Sequence, residues 1–165
     1  MGFLILGLMR RVVLLLEALE GRAGSQIHGG LPVGSRVPAF EVLDDGGRLI
    51  SSAELLHEPV VVLLVSPGCS PCLDLAAELR GLGSPLPIPM IVIRDGHDQP
   101  NGFDGLGHQV LRDVSAFRAF ANAATPFGYA VNADGTVAAS GVTSTSEALL
   151  ELAETLRKTV GAGHA

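Results

Sequence analysis

Residues 60–65, Val-Val-Val-Leu-Leu-Val, form an unbroken apolar run between Pro59 and Ser66. A strand with one wet face would alternate, so this run predicts a central strand buried on both faces. Pro67-Gly68 ends it, and Pro71 occupies a first-turn position of a helix running to about Leu82. Leu73, Ala76, Ala77 and Leu79 are expected to form the apolar side of that helix. Upstream, residues 40–43, the turn residues Asp44-Asp45-Gly46-Gly47 and residues 48–50 read as a hairpin. Ser51-Ser52-Ala53-Glu54 has capping-box spacing and should open a short helix.

Downstream, residues 90–93 read as a second short buried strand and residues 114–121 as a short helix. Between them, residues 94–113 keep no sustained period, apart from a short strand at Gln109-Val110-Leu111. So long a loop inside a compact domain is either functional or hides an element. Residues 127–131, the turn Asn132-Ala133-Asp134-Gly135 and residues 136–140 form a second hairpin. Ser144-Thr145-Ser146-Glu147 repeats the capping-box spacing before a C-terminal helix with Leu149, Leu152, Ala153, Leu156 and Val160 on one face. Strands and helices in this order predict an α/β domain, a central mixed sheet flanked by helices.

The chain start has a different pattern. Residues 2–9 are apolar, Arg10 and Arg11 interrupt, and residues 12–16 resume. Eight helical residues span about 12 Å against roughly 30 Å of hydrocarbon, too short to cross a bilayer cleanly. Leu4, Leu8, Val12, Leu15 and Leu19 recur at helical spacing. Residues 1–20 therefore read as an apolar helix, with three alternatives: a shortened membrane anchor, a helix lying in the interface, or a helix packed on the domain. A signal peptide fits less well, because the basic pair follows the apolar run. Residues 21–32 read as a Gly- and Ser-containing linker, residues 33–160 as the domain and 161–165 as a tail.

Composition narrows the function. The 165 residues carry 11 Lys+Arg and 17 Asp+Glu, net −6, which argues against a nucleic-acid surface. Hydrophobic residues reach 47% against 17% charged, too apolar for a disordered chain. Two cysteines exclude a disulfide-stapled miniprotein and cannot by themselves complete a structural zinc site. The five histidines (His28, His57, His97, His108 and His164) lack ligand spacing, so no metal or other cofactor is expected.

Both cysteines fall in one tetrapeptide, Cys69-Ser70-Pro71-Cys72, between the buried strand and its helix. The open N–H groups and dipole of a first helical turn favour an anion, so a Cys69 thiolate would be stabilised. Two intervening residues bring Cys72 one turn on, within reach of a disulfide. Ser70 and Pro71 shape the turn, and Pro71 leaves no unsatisfied N–H of its own. A purely structural disulfide closing so short a loop would remove little chain entropy, which favours a redox reading. Cys69 at the lip would attack or be attacked, and Cys72 would resolve the mixed disulfide.

Thr125-Pro126, directly before a strand, is the second constellation. With it the chain resembles the TlpA/MauD-like, membrane-associated thiol–disulfide oxidoreductases of the thioredoxin fold. The resemblance rests on Val33-Gly34-Ser35-Arg36-Val37-Pro38-Ala39-Phe40, on residues 62–72 through the cysteine pair, on Ala124-Thr125-Pro126-Phe127, on Asn132-Ala133-Asp134-Gly135-Thr136-Val137 and on Gly141-Val142. It implies a cis Pro126 facing the cysteines, with the Thr125 backbone free to pair with an extended partner peptide. It also implies protein thiol or disulfide clients, a redox-recycling partner, an N-terminal membrane anchor and a location in the cell envelope on the periplasmic side. The Arg pair argues for the opposite orientation. Two positions depart from thioredoxins: Gly68 replaces the Trp before the first cysteine, and Leu63 replaces the buried carboxylate six residues before it.

Two other functions compete. A thiol peroxidase of the peroxiredoxin type needs Pro-x-x-x-Thr-x-x-Cys; Ser66 could replace the Thr, but Val62 stands at the proline position. A metallochaperone or maturation factor would use the dithiol to hold a soft ion such as Cu(I).

Overall fold

A computed structural model describes residues 29–43, 48–82, 89–95, 102–106, 109–121 and 124–162. The expected N-terminal helix, most of the linker and the 44–47 turn lie outside the described residues. The elements are β1 (Glu41–Leu43), β2 (Leu49–Ser51), α1 (Ser52–Leu55), β3 (Val60–Val65), α2 (Ser70–Leu82), β4 (Met90–Arg94), β5 (Gln109–Arg112), α3 (Val114–Ala119), β6 (Phe127–Val131), β7 (Val137–Val142) and α4 (Ser146–Ala162).

β1 and β2 form a small antiparallel ribbon, and the remaining strands form one mixed sheet in the order β5-β4-β3-β6-β7. The unbroken apolar run is its central strand and is buried along its whole length. β3 pairs parallel with β4, Val65 opposite Arg94, and antiparallel with β6, Leu63 opposite Gly128. Because side chains alternate along a strand, β3 feeds two cores. Val62 and Leu64 point to one side, with Phe40, Leu56, Ala116, Phe120 and Tyr129. Val61, Leu63 and Val65 point to the other, with Cys72, Leu75, Ala76 and Leu79 of α2 and Leu149, Leu152, Ala153 and Leu156 of α4. The expected mixed sheet flanked by helices is the architecture found.

The first core holds the aromatic rings. Phe120 lies 5.0 Å from Tyr129, and Phe127 lies 5.1 Å from it on another side. The Tyr129 hydroxyl donates to the Phe120 carbonyl at 3.1 Å and accepts from the Leu31 N–H at 3.2 Å. Burial pushes its pKa up to about 12, so it stays a neutral donor.

Local details correct the sequence reading in two places. The apolar side of α2 is Cys72, Leu75, Ala76 and Leu79, whereas Leu73 is 47% exposed and Ala77 also faces out. Counting Cys72 as a small apolar residue restores the i, i+3, i+4, i+7 stripe and moves its phase by one position. At α4, Thr145 provides the local cap, its hydroxyl accepting from the Ala148 N–H at 3.3 Å. The Ser146 N–H goes instead to Glu78 of α2 at 2.7 Å, and hydrogen bonding from Ser146 holds the Glu78 carboxyl below its usual range. At α1 the Ser51 cap forms as expected, its hydroxyl accepting from the Glu54 N–H at 3.2 Å, while the Glu54 carboxylate accepts from Arg48 at 3.0 Å.

Candidate active site: the cysteine turn and the cis-proline loop

β3 stops at Val65, and the chain turns through Ser66-Pro67-Gly68-Cys69 before α2 begins. The Cys69 N–H donates back to the Ser66 carbonyl at 3.4 Å, and Gly68 has a φ of +70°. Proline followed by a residue of positive φ is the arrangement of a type II turn, and it explains the glycine. Nothing lies within 4 Å of where a Gly68 side chain would begin, so the approach to Cys69 is open on that side.

Cys69 takes the cap position of α2. Its carbonyl accepts from the Cys72 and Leu73 N–H groups at 3.1 and 3.2 Å. Its sulfur accepts from the same Cys72 N–H at 3.2 Å, as the oxygen of a serine or aspartate cap would. Pro71 has no N–H, so the Cys72 amide is the first-turn donor aimed at the sulfur. Cys69 and Cys72 are joined as a disulfide, 2.20 Å between sulfurs and 5.2 Å between Cα atoms. Cys69 is half-buried, whereas Cys72 is 1% exposed and packs in the core beneath α2.

The second loop meets this turn from the other side of β3. The Thr125-Pro126 peptide is cis. The Thr125 carbonyl oxygen lies 3.4 Å from the Cys69 sulfur, and the Thr125 hydroxyl donates to the Ser66 hydroxyl at 3.2 Å. Behind the loop, the Thr143 N–H donates to the Pro126 carbonyl at 3.2 Å. Thr143 is buried against Gly128, where a Cβ would stand 2.8 Å from the Thr143 methyl and 2.7 Å from a Leu152 methyl. Gly128 is thus needed for close approach, and it seats the proline loop through Thr143.

Cys69, Cys72, Thr125 and Pro126 therefore come together, and Ser70 and Pro71 form the exposed crest of the turn. Leu63 is fully buried in the core beneath α2, so the carboxylate of thioredoxins has an apolar substitute here. The sequence offers Ser66 only as a stand-in for the peroxidase threonine, and it does not point to Thr143 or Gly128. Ser66 carried a local signal, as the first residue of a Ser-Pro-Gly-Cys turn. Thr143 and Gly128 carried none, because their role depends on β6 lying beside β3 and β7. Among the described residues, no group of three or more His, Cys, Asp or Glu could hold a metal.

Arg94 and Arg112, paired at the ends of β4 and β5, lie at the same edge of the sheet. Phe103 is fully buried in the core that holds Cys72, and Arg80 of α2 donates to the Gly102 carbonyl. Arg94 is 2% exposed, and its guanidinium lies 3.9 Å from Asp104, which also lies 3.7 Å from Arg112.

No protein-family model matches the chain. Curated relatives do. The methylamine utilization protein MauD of Paracoccus versutus is 28% identical over 155 residues, 91% of this chain and 79% of that protein. MauD of Methylorubrum extorquens is 28% identical over 160 residues, 92% of this chain and 77% of its own length. The chain is thus similar to MauD proteins over most of its length. Solved structures show that the fold is thioredoxin-like. A thio-disulfide isomerase from Thermus thermophilus superposes with a TM-score of 0.58 at 21% identity, over 76% of this chain and 97% of the other. The thioredoxin domain of a thiol-disulfide oxidoreductase from Bacteroides vulgatus gives 0.57 at 14% identity, over 75% and 96%.

Proposed function

We propose that this protein is an enzyme that exchanges dithiol for disulfide with protein partners through Cys69 and Cys72. In the reducing direction the Cys69 thiolate attacks a partner disulfide and expels one partner sulfur as thiolate. The mixed disulfide is then attacked by the Cys72 thiolate, which leaves the partner as a dithiol and this chain as the Cys69–Cys72 disulfide. Two electrons pass to the partner, and a recycling partner returns them by the reverse steps. The observation that carries this reading is the asymmetry of the pair. One sulfur is reachable and capped by a helix amide, and the other is buried one turn on.

Thr125 and Pro126 are assigned the docking of an extended client segment beside Cys69, supported by the Thr125 carbonyl 3.4 Å from the sulfur. Residues 33–160 are assigned as the catalytic domain, and residues 1–20 as the membrane attachment of a protein facing the periplasm. Among the described residues no helix is long and apolar enough to cross a membrane. The name of the relatives ties them to methylamine utilization. For this chain the corresponding client class is an exported redox enzyme that acquires or rearranges disulfides.

The test is reduction of insulin disulfides by the full chain with dithiothreitol as electron source. Wild type should accelerate insulin precipitation, and Cys69→Ser should abolish the acceleration. Acceleration that survives Cys69→Ser would end the exchange assignment. Peroxide consumption at a rate set by Cys69, without insulin reduction, would replace it with a peroxidase.

A further inference from the structure

Three contacts close a ring around the reachable sulfur. The Ser66 carbonyl accepts from the Cys69 N–H, the Ser66 hydroxyl accepts from the Thr125 hydroxyl at 3.2 Å, and the Thr125 carbonyl faces the Cys69 sulfur at 3.4 Å. The two oxygens of Thr125 would act on a reduced Cys69 in opposite senses. A carbonyl oxygen has only lone pairs to offer, so it accepts from a thiol and repels a thiolate. A hydroxyl can donate, and a donor stabilises the thiolate. The Thr125 hydroxyl is engaged by the Ser66 hydroxyl, whereas the Thr125 carbonyl faces the sulfur.

We propose that Ser66 is a positioning residue of the cysteine pair, holding the Thr125 hydroxyl away from Cys69 so that the sulfur faces the Thr125 carbonyl. This rests on the exchange reading above and adds a control over its direction. The helix amide of Cys72 pulls the proton off Cys69, and the Ser66–Thr125 bridge pulls the other way. A Cys69 that keeps more of its proton makes the dithiol less stable and therefore a better reductant. The charged residues on the adjoining helix and strand are Asp74, Glu78 and Arg80 in α2 and Arg94 and Asp95 at the end of β4. None of the five is altered when Ser66 is changed, so they do not contribute to the difference.

The experiment measures the dithiol–disulfide equilibrium of the full chain in glutathione buffers, together with the pH profile of Cys69 alkylation. Ser66→Ala frees the Thr125 hydroxyl to donate to the thiolate. It should move the equilibrium about fivefold toward the dithiol, the worth of one hydrogen bond, and shift the alkylation midpoint down. Ser66→Thr keeps a hydroxyl and should behave as wild type. In a Thr125→Val background there is no hydroxyl to release, so Ser66→Ala should change the equilibrium less than twofold. An unchanged equilibrium in Ser66→Ala, a shift toward the disulfide, or an equal shift in the Thr125→Val background would each overturn the proposal. These readouts belong to the cysteine pair itself, so they hold even if insulin reduction is absent and the exchange reading fails.

Discussion

The cysteine turn and the β4–β5 crossover leave the same edge of the sheet, since β3, β4 and β5 run parallel. They are held in different ways. The turn is fastened mostly by neighbours in sequence: Ser66 to Cys69, Cys69 to Cys72, and Pro71 in the first turn of α2. The described part of the crossover, residues 102–106, is fastened at a distance, through Phe103 in the core beneath α2, Arg80 on Gly102 and Asp104 near two arginines. Reactivity is thus built on a local element and the adjoining surface on long-range contacts. Stability and chemistry should therefore separate under substitution.

Phe103→Ala should show this most strongly. Emptying a fully buried aromatic position should cost about 3–5 kcal/mol of unfolding free energy. The dithiol–disulfide equilibrium of the protein that remains folded should stay within twofold of wild type. A large change in that equilibrium would mean that the crossover governs the chemistry, contrary to the division drawn here.

Gly128→Ala acts on the other region, through the back of the proline loop. The added methyl meets Thr143 and Leu152 below 3 Å, and overpacking of this kind costs about 1–3 kcal/mol. Because Thr143 holds the Pro126 carbonyl, this smaller loss of stability should come with slower insulin reduction. Denaturant melts and turnover on the same preparation would check both. Normal turnover per folded molecule would remove Thr143 from the site.

The smallest effect is expected just beyond β5, where Asp113 caps α3. Its carboxylate accepts from the Ser115 and Ala116 N–H groups at 2.6 and 3.0 Å. Partial burial works against its charge, but the hydrogen bonds from Ser115 and Ala116 outweigh it and hold the carboxyl below the usual range. A depressed carboxyl contributes stability that is present above its unfolded pKa and lost as pH falls through its folded one. Asp113→Ala should therefore cost about 1 kcal/mol at pH 7. The gap to wild type should narrow as urea melts are taken from pH 5 towards pH 3. A gap that stays constant in acid would deny the charged cap.

The same division governs what could be read from the residues. Residues 60–65 announce a central strand because six consecutive apolar side chains have no other use. Cys69 to Cys72 announce a redox pair because their spacing is one helical turn. The hairpins and capping residues are equally local, and most of them form where expected. The phase of α2 becomes legible only when Cys72 counts as a core residue as well as a reactive one. Arg94 reads in sequence as the first residue of the aperiodic 94–113 segment, yet it ends β4 and is almost fully buried with Asp104 nearby, a partner ten residues on with no periodicity between them. Glu78 capping α4 from α2, and Gly128 making room for Thr143, depend on elements that only the finished sheet brings together.

The division of labour between the two sulfurs can be measured most directly by titrating their alkylation in the reduced chain, with each site followed by peptide mass. Cys69 should react first, with a midpoint below the free-thiol value of about 8.5, while Cys72 stays protected until the chain unfolds. Equal reactivity of the two sites, or a Cys69 midpoint at or above that of a free thiol, would contradict the account.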